Sequence, residues 1–209
     1  MRLWCVTSLD NFASEYDDIE QMFSHGLTRL ILQKRGRVGG QYASDDDYER
    51  WLLSLPMECR DRIWVRGTPD LAERLDVRGC VVDASSLVGN VPESWKRVNC
   101  IAFCRNPDQL KALPEWVSGA LVGPVFQPQS VYEPVDCFGT EKLAGVLSAE
   151  NGVAHKIPQL IVFGGIDQEN LGPIKNLPIQ GISVLGGIWN YADPVNAFIK
   201  LNRALDFVF

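Results

Sequence analysis

The sequence predicts a parallel α/β fold, a single (β/α)8 barrel of the TIM type over residues 1–209. Eight short apolar runs alternate with amphipathic segments along the chain. The runs are rich in Val, Ile, Leu, Cys and Trp and rarely alternate with polar residues, which is typical of parallel strands buried on both faces. Alternation of such strands with helices predicts a parallel α/β architecture, and eight units favour a closed barrel.

An open, doubly wound sheet is the alternative architecture. In a dinucleotide-binding sheet of that kind, a G-x-G-x-x-G turn follows the first strand. Here Ser8-Leu9-Asp10 follows the first apolar run. The missing turn favours the barrel, and the lack of a linker-like segment favours one domain.

The predicted strands are the apolar runs themselves. In chain order they are Leu3–Thr7, Arg29–Gln33, Arg62–Val65, Cys80–Asp83, Val98–Cys104, Ala120–Gly123, Gln159–Phe163 and Gly181–Leu185.

Helices are predicted between the strands from apolar spacing and from end signals. Tyr48, Trp51, Leu52 and Leu55 lie at helical spacing, and Pro56 ends that run. Three further helices are predicted where a capping residue precedes a proline, at Thr68-Pro69, Asn106-Pro107 and Asp193-Pro194.

Two further segments between strands carry predictions of their own. Ser85–Trp95 shows no helical spacing, so one crossover is predicted to be irregular. Asp167 follows the seventh strand and is predicted to cap the next helix.

Composition and charge narrow the classes of function. The chain is 46% apolar and 22% charged with a net charge of −6, as in an ordinary globular domain. An acidic chain without a long basic run is predicted to bind neither nucleic acid nor an acidic membrane. No run is long enough to span a bilayer, and the apolar stretch at the N-terminus is too short for a signal peptide. The expected location is therefore cytoplasmic.

The cysteines are predicted to be reduced, buried thiols. All six lack a C-x-x-C partner, and four lie inside strand-like runs. His25 and His155 are the two histidines, so a zinc site is not predicted. Cys104 next to Arg105 is also considered as a nucleophile, but a buried thiol is favoured. Asp45-Asp46-Asp47 is interpreted as an acidic first turn of a helix rather than as a metal site.

Candidate site residues follow from the barrel. Active sites of such barrels lie at the carboxyl ends of the strands. There the chain places four cations and one carboxylate, namely Lys34, Arg35, Arg66, Arg105 and Asp83. A ring rich in cations predicts an anionic, phosphorylated ligand.

Two similar phrases mark the last two strand ends. Residues 161–166 read IVFGGI and residues 183–188 read SVLGGI. Gly164-Gly165 and Gly186-Gly187 therefore follow the seventh and eighth strands, where barrels often bind phosphate. Glycine lets backbone N–H groups approach an anion closely. The alternative is that these glycines only form tight turns; two pairs at neighbouring strand ends favour the phosphate site.

These residues resemble the thiamine phosphate synthase/TenI family. The resemblance is carried by Gly123-Pro124-Val125-Phe126, by Phe163-Gly164-Gly165-Ile166 with Asn170, and by the stretch GISVLGGIW from Gly181. It is strongest over residues 119–190. It implies the barrel fold and an enzyme of thiamine biosynthesis that joins a pyrimidine pyrophosphate to a thiazole phosphate with Mg²⁺. The TenI branch instead isomerises the thiazole.

The resemblance implies a phosphate site and a pyrophosphate site. Phosphate would bind Ser130 together with Gly164, Gly165, Gly186 and Gly187. Pyrophosphate would bind at the second and third strands, to Gln33, Lys34, Arg35 and Arg66.

Several family positions are replaced in this chain. Arg66-Gly67 stands where the family has an Asn-Asp pair, and Ser86 where it has a second metal-binding aspartate. Arg105 stands where a histidine would be expected, and Val131 where a lysine would be. The expected Mg²⁺ ligands are thus missing, and no metal ligand is assigned. Arg35, Asp83 and Arg105 are the candidate catalytic residues.

Two hypotheses follow. The first is a divergent thiamine phosphate synthase, and the alternative is an impaired relative that only binds a thiazole phosphate or another small phosphorylated ligand. A small phosphorylated molecule is the expected partner under both hypotheses, and a homodimer is left open.

Overall fold

The computed structural model describes residues 1–36, 43–129, 133–148 and 157–209. Eight strands alternate with helical segments in this part of the chain. The strands are β1 (Arg2–Val6), β2 (Leu30–Leu32), β3 (Ile63–Arg66), β4 (Gly79–Asp83), β5 (Cys100–Cys104), β6 (Gly119–Val122), β7 (Leu160–Phe163) and β8 (Gly181–Val184).

The helices cover the outside of the strands. They are α1 (Glu15–Ser24), α2 (Asp45–Leu52), α3 (Pro69–Arg74), α4 (Pro107–Lys111), α5 (Gly139–Leu147), α6 (Gly186–Trp189) and α7 (Pro194–Val208). Short 3-10 helices occur at Met57–Arg62, Ala84–Leu87, Glu93–Arg97 and Gly172–Ile174.

The strands form a closed parallel barrel in the order β1 to β8. Each strand pairs with the next, and β8 returns to β1 with Arg2 opposite Gly181 and Cys5 opposite Val184. Closure leaves no open sheet edge among these strands. The predicted TIM barrel is therefore confirmed.

Two apolar layers stabilise the barrel. One fills its interior with a buried apolar side chain from each of β1 to β7, at Trp4, Ile31, Trp64, Val81, Ile101, Leu121 and Ile161. Val6, Phe103 and Phe163 are partly buried and pack against this layer. The other lies between the strands and the helices, and includes Leu30, Leu32 and Phe198. Successive residues of a strand point to opposite faces, so both faces require apolar residues, and this explains the continuous apolar runs.

The predicted helix starts are confirmed at all three proline positions. Each of the capping side chains, those of Thr68, Asn106 and Asp193, accepts a hydrogen bond from the backbone N–H group three residues later. A proline directly follows each capping residue. The acidic turn is also confirmed as a helix start, because Ser44 and Asp47 form a capping box at α2.

The crossovers differ in regularity. The connection from β4 to β5 contains only 3-10 helices, as its lack of helical spacing predicted. The prediction that Asp167 caps a helix is wrong. Its carboxylate instead accepts hydrogen bonds from Glu169 N and from the Gln129 side chain, and only the 3-10 helix Gly172–Ile174 follows.

Candidate functional site

A cavity of about 380 Å³ opens at the carboxyl ends of the strands. It combines an apolar floor with polar groups at its rim, as small-molecule sites usually do. Side chains of Ile31, Val81 and Leu121 contribute to the floor. Seven residues proposed from the sequence for anion binding line it: Gln33, Arg35, Arg66, Gly164, Gly165, Gly186 and Gly187. Ser130 lies outside the described residues.

The first glycine pair follows β7 and has a backbone that favours glycine. Gly164 has φ +98° and Gly165 has φ +63°. A Cβ atom at Gly164 would lie 2.3 Å from Pro124 Cβ, and one at Gly165 would lie 2.4 Å from Gln127 O. These glycines therefore let the segment after β7 pack directly on the segment after β6.

The second pair follows β8 and begins α6. A Cβ atom at Gly187 would lie 2.4 Å from Ile166 O, just beyond the first pair. At Gly186 the nearest atoms would be Asn190 Nδ2 at 3.1 Å and Gln129 Cβ at 3.2 Å. The two pairs thus bring the loops after β6, β7 and β8 into contact and also line the cavity. Close packing of this kind agrees with a role of the glycines in turns, and it is compatible with a binding site.

Gln129 connects these three loops. Its Nε2 donates to Asp167 Oδ2 at 2.9 Å, and its Oε1 accepts from Asn190 Nδ2 at 3.2 Å. Gln129 also lines the cavity, as does Ser183 of β8. Neither residue was expected from the sequence to have a specific role. Gln129 lies in the segment after the sixth strand, and this position at the carboxyl end of a strand was the one sequence feature that marked it as a candidate site residue.

Arg66 is the buried cation of the cavity wall. Its side chain is only 4% exposed, and its Nη2 donates to Asp83 Oδ1 at 2.7 Å. Its Nη1 donates to Val81 O at 2.9 Å, and its guanidinium carbon lies 4.6 Å from the centre of the Phe103 ring. The guanidinium is therefore oriented by strand β4 and by the aromatic ring of β5.

An aromatic pair forms another part of the wall. Phe103 and Phe163 are stacked, with ring centres 4.5 Å apart and an interplanar angle of 24°. Both line the cavity. They come from β5 and from β7, on either side of β6. Such a pair offers a flat apolar surface to a ligand ring.

Arg35 lies at the open side of the cavity. Its side chain is 52% exposed, and its Nη1 lies 3.7 Å from Asp10 Oδ2. Its backbone N–H donates to Leu9 O at 2.9 Å, which joins the loops after β1 and β2. This ion pair is exposed and contributes little stability.

Lys34 does not line the cavity, although sequence analysis placed it in the pyrophosphate site. Its Nζ lies 2.5 Å from the carboxylate oxygens of Glu15, and both side chains are buried. Trp51 donates to the same carboxylate at 3.3 Å, and its ring lies 5.5 Å from the lysine Nζ. The reason is geometric: Gln33 and Arg35 face the cavity, and the residue between them faces the helices.

Glu15 is therefore a residue that sequence reasoning missed. Desolvation raises the pKa of its carboxyl group, and the hydrogen bond from Lys34 opposes that shift. Desolvation likewise lowers the pKa of the Lys34 ammonium group. The spacing offered a signal, because Glu15 lies four, seven and eight residues before Ile19, Met22 and Phe23 and so shares their buried face of α1.

Asp83 and Arg105 lie near the cavity without lining it. Asp83 is engaged by Arg66, and its side chain is 45% exposed. The Arg105 guanidinium carbon lies 5.2 Å from the Phe103 ring centre.

Cys104 is buried, and burial raises its pKa to about 12, which favours a thiol over a nucleophilic thiolate.

The described side chains do not form a ready-made metal-binding cluster. No cluster of three or more His, Cys, Asp or Glu side chains that could ligate a metal occurs in the described part of the chain. Asp83 is already bonded to Arg66, so a cation beside it would face the guanidinium charge. Mg²⁺ usually binds one or two carboxylates together with water and substrate phosphates, so an ion held at this cavity would depend mainly on water and on the phosphates of a ligand.

The fold and the cavity define a class: a TIM barrel with a ligand-sized cavity at the carboxyl ends of its strands.

No helix among the described residues is long and apolar enough to cross a membrane. No family model matches the chain, and no curated protein matches it.

Solved structures are similar to the chain over its whole length. A thiamine phosphate pyrophosphorylase from Bacteroides thetaiotaomicron has a TM-score of 0.73 and 22% sequence identity, covering 99% of this chain and 98% of that one. Thiamine phosphate pyrophosphorylase from Pyrococcus furiosus gives 0.72 and 18%, covering 100% and 96%. Tryptophan synthase subunit alpha from Legionella pneumophila gives 0.65 and 12%, covering 99% and 93%. The predicted resemblance is confirmed as a likeness of fold.

Proposed function

We propose that the cavity binds one small phosphorylated ligand, with its phosphate at the glycine pairs and its organic part against the aromatic pair. The observation that carries the proposal is that Gly164-Gly165 and Gly186-Gly187 line the same cavity as Arg35 and Arg66.

Backbone amides support the phosphate end. Among the described residues, no carbonyl or side chain accepts a hydrogen bond from the N–H groups of Gly165 and Gly187. Concave turns that present such N–H groups bind anions in proteins. The close packing of these glycines keeps the turns in place, so little order would have to be gained on binding.

The apolar floor and the aromatic pair support the organic end. Phe103 and Phe163 are stacked beside the cavity, and a flat ring could pack against them. Two similar barrels are named thiamine phosphate pyrophosphorylases. We therefore take a thiazole phosphate, or thiamine phosphate itself, as the ligand class.

Binding is tested by calorimetry with thiazole phosphate and thiamine phosphate, using the variant Gly186→Asp. A Cβ atom at this position requires Asn190 and Gln129 to shift by a few tenths of an ångström, and the added carboxylate would repel a phosphate at the rim. We expect at least about a tenfold loss of affinity.

Gly172→Asp is the matched control for that variant. It adds the same charge at a glycine whose Cβ would meet nothing within 4 Å and which does not line the cavity. Equal affinity of both variants, or no binding to the parent protein below millimolar concentration, would count against the proposal.

Transferase activity is the second candidate. Gln33 and Arg35 line the cavity and favour it, since they are residues to which the family resemblance assigns a pyrophosphate. Pure protein is incubated with the pyrimidine pyrophosphate, the thiazole phosphate and Mg²⁺. The absence of thiamine phosphate at high protein concentration would reject synthesis while leaving binding intact.

A further inference from the structure

We infer that the cavity selects a phosphorylated ligand whose far end is uncharged, and that Asp83 determines this specificity by neutralising Arg66. The inference rests on the proposed phosphate site and assigns the chemistry of the opposite side of the cavity.

The positions of the strands separate the two ends of the ligand. In the closed order β1 to β8, strands β3 and β4 lie across the barrel from β7 and β8. A ligand with its phosphate at Gly165 and Gly187 therefore points its other end towards Arg66. Phe103 and Phe163 flank that path, so the far end also meets aromatic surface.

Arg66 by itself would attract an anion at the far end. Its side chain is buried, and charge interactions are strong where water is excluded. Asp83 removes this preference, because its carboxylate oxygen lies 2.7 Å from Arg66 Nη2. A second carboxylate or phosphate at this end would share one guanidinium with Asp83, and the two anions would repel each other.

The other cations do not restore an anion site on this side. Lys34 is buried against Glu15, and Arg35 is largely exposed beside Asp10. Arg105 stacks near the aromatic ring of β5 but does not line the cavity. Water and salt screen an exposed charge such as that of Arg35. Among the described cavity-lining residues, the far end is thus a neutral, largely apolar surface, and an unpaired charge placed there would lose its hydration without compensation.

The test compares two ligands that differ by one charge, thiazole phosphate and its analogue with a carboxylate on the thiazole ring carbon between sulfur and nitrogen. Calorimetry on the parent protein is expected to show thiazole phosphate binding at least about tenfold more tightly. Equal affinities, or tighter binding of the carboxylated ligand, would overturn the inference. If neither ligand binds, the proposed phosphate site itself is wrong.

Asp83→Asn tests the assigned residue. The amide keeps an acceptor oxygen for Arg66 and removes the charge, so the carboxylated ligand should gain about tenfold in affinity while thiazole phosphate changes much less. Asp76→Asn is the control, because it makes the same charge change at an exposed αβ loop position with φ 52°, which asparagine tolerates. A gain of equal size for both ligands in Asp83→Asn would contradict the assigned role.

Discussion

The side chain at position 34 shows how strongly one residue's direction decides its role. Gln33, Lys34 and Arg35 are consecutive at the end of β2, yet only Gln33 and Arg35 line the cavity. Lys34 points the other way and pairs with Glu15. The period of two along a strand makes this alternation predictable once the phase is known. The burial of Glu15 was predictable from its place on the apolar face of α1, but the cation with which it pairs was not, since that pairing depends on how α1 packs on the barrel.

Glu15→Gln should destabilise the protein by about 3–5 kcal/mol, because it leaves the Lys34 charge buried without its counter-charge. Urea unfolding measures the free energy of unfolding. Glu20→Gln, at an exposed position of the same helix, should stay within about 0.5 kcal/mol of the parent. The double change Glu15→Gln with Lys34→Met should cost less than the two single changes summed. A cost below about 1 kcal/mol for Glu15→Gln would show that the pair is not fully desolvated.

The loops after β6, β7 and β8 pack closely against one another because glycines, which have no side chain, lie at their contacts. Gly164 and Gly165 approach the segment after β6, and Gly187 approaches Ile166 O. Gln129 joins the same loops by hydrogen bonds to Asp167 and Asn190. The repeated Gly-Gly therefore has a packing cause, and the same packing brings four glycines to the cavity rim.

Gly187→Ala should lower the free energy of unfolding by about 1–3 kcal/mol, since its Cβ would overlap a backbone oxygen that cannot rotate away. It should also weaken binding of thiazole phosphate. Gly172→Ala introduces the same methyl group into open space and should be within about 0.5 kcal/mol of the parent. Thermal and urea unfolding of both variants measure the difference. Equal stabilities would mean that the loops move apart without cost.

The closed barrel buries its thiols along with its apolar side chains. Cys5, Cys80, Cys100 and Cys104 lie in strands and are buried. Burial raises the pKa of Cys104 to about 12, so the folded protein retains this proton at pH values where an unfolded chain loses it. The stability contributed by the neutral thiol is then complete below the ordinary thiol pKa and is lost as the pH rises towards the raised value.

The stability advantage of the parent over Cys104→Ala should therefore shrink by about 1.5 kcal/mol from about pH 8 to about pH 10. Taking this difference cancels groups that titrate in both proteins, such as Lys34. Cys137→Ser serves as the comparison, because Cys137 is not fully buried and lies outside the strands. Guanidinium unfolding at the two pH values measures the effect. An advantage that does not change with pH would show that Cys104 loses its proton as easily when folded.

The sequence alone determined the architecture, because a barrel strand must be apolar on both faces and its period is visible in eight runs. Capping residues beside Pro69, Pro107 and Pro194 marked three helix starts, since capping is a local interaction. The strand ends also marked the cavity, including Arg66 and the glycine pairs.

Only the tertiary structure decided which charges stay available to a ligand. Lys34 is paired with Glu15, which lies 19 residues away in sequence, and Arg66 is paired with Asp83, which lies 17 residues away. The energy of a charge depends on distance and on exclusion of water, and both depend on how distant segments pack. Of the cations predicted at the strand ends, only Arg35 and Arg66 line the cavity in the folded protein, and Arg66 is paired with Asp83. The glycine pairs lie across the barrel from Arg66.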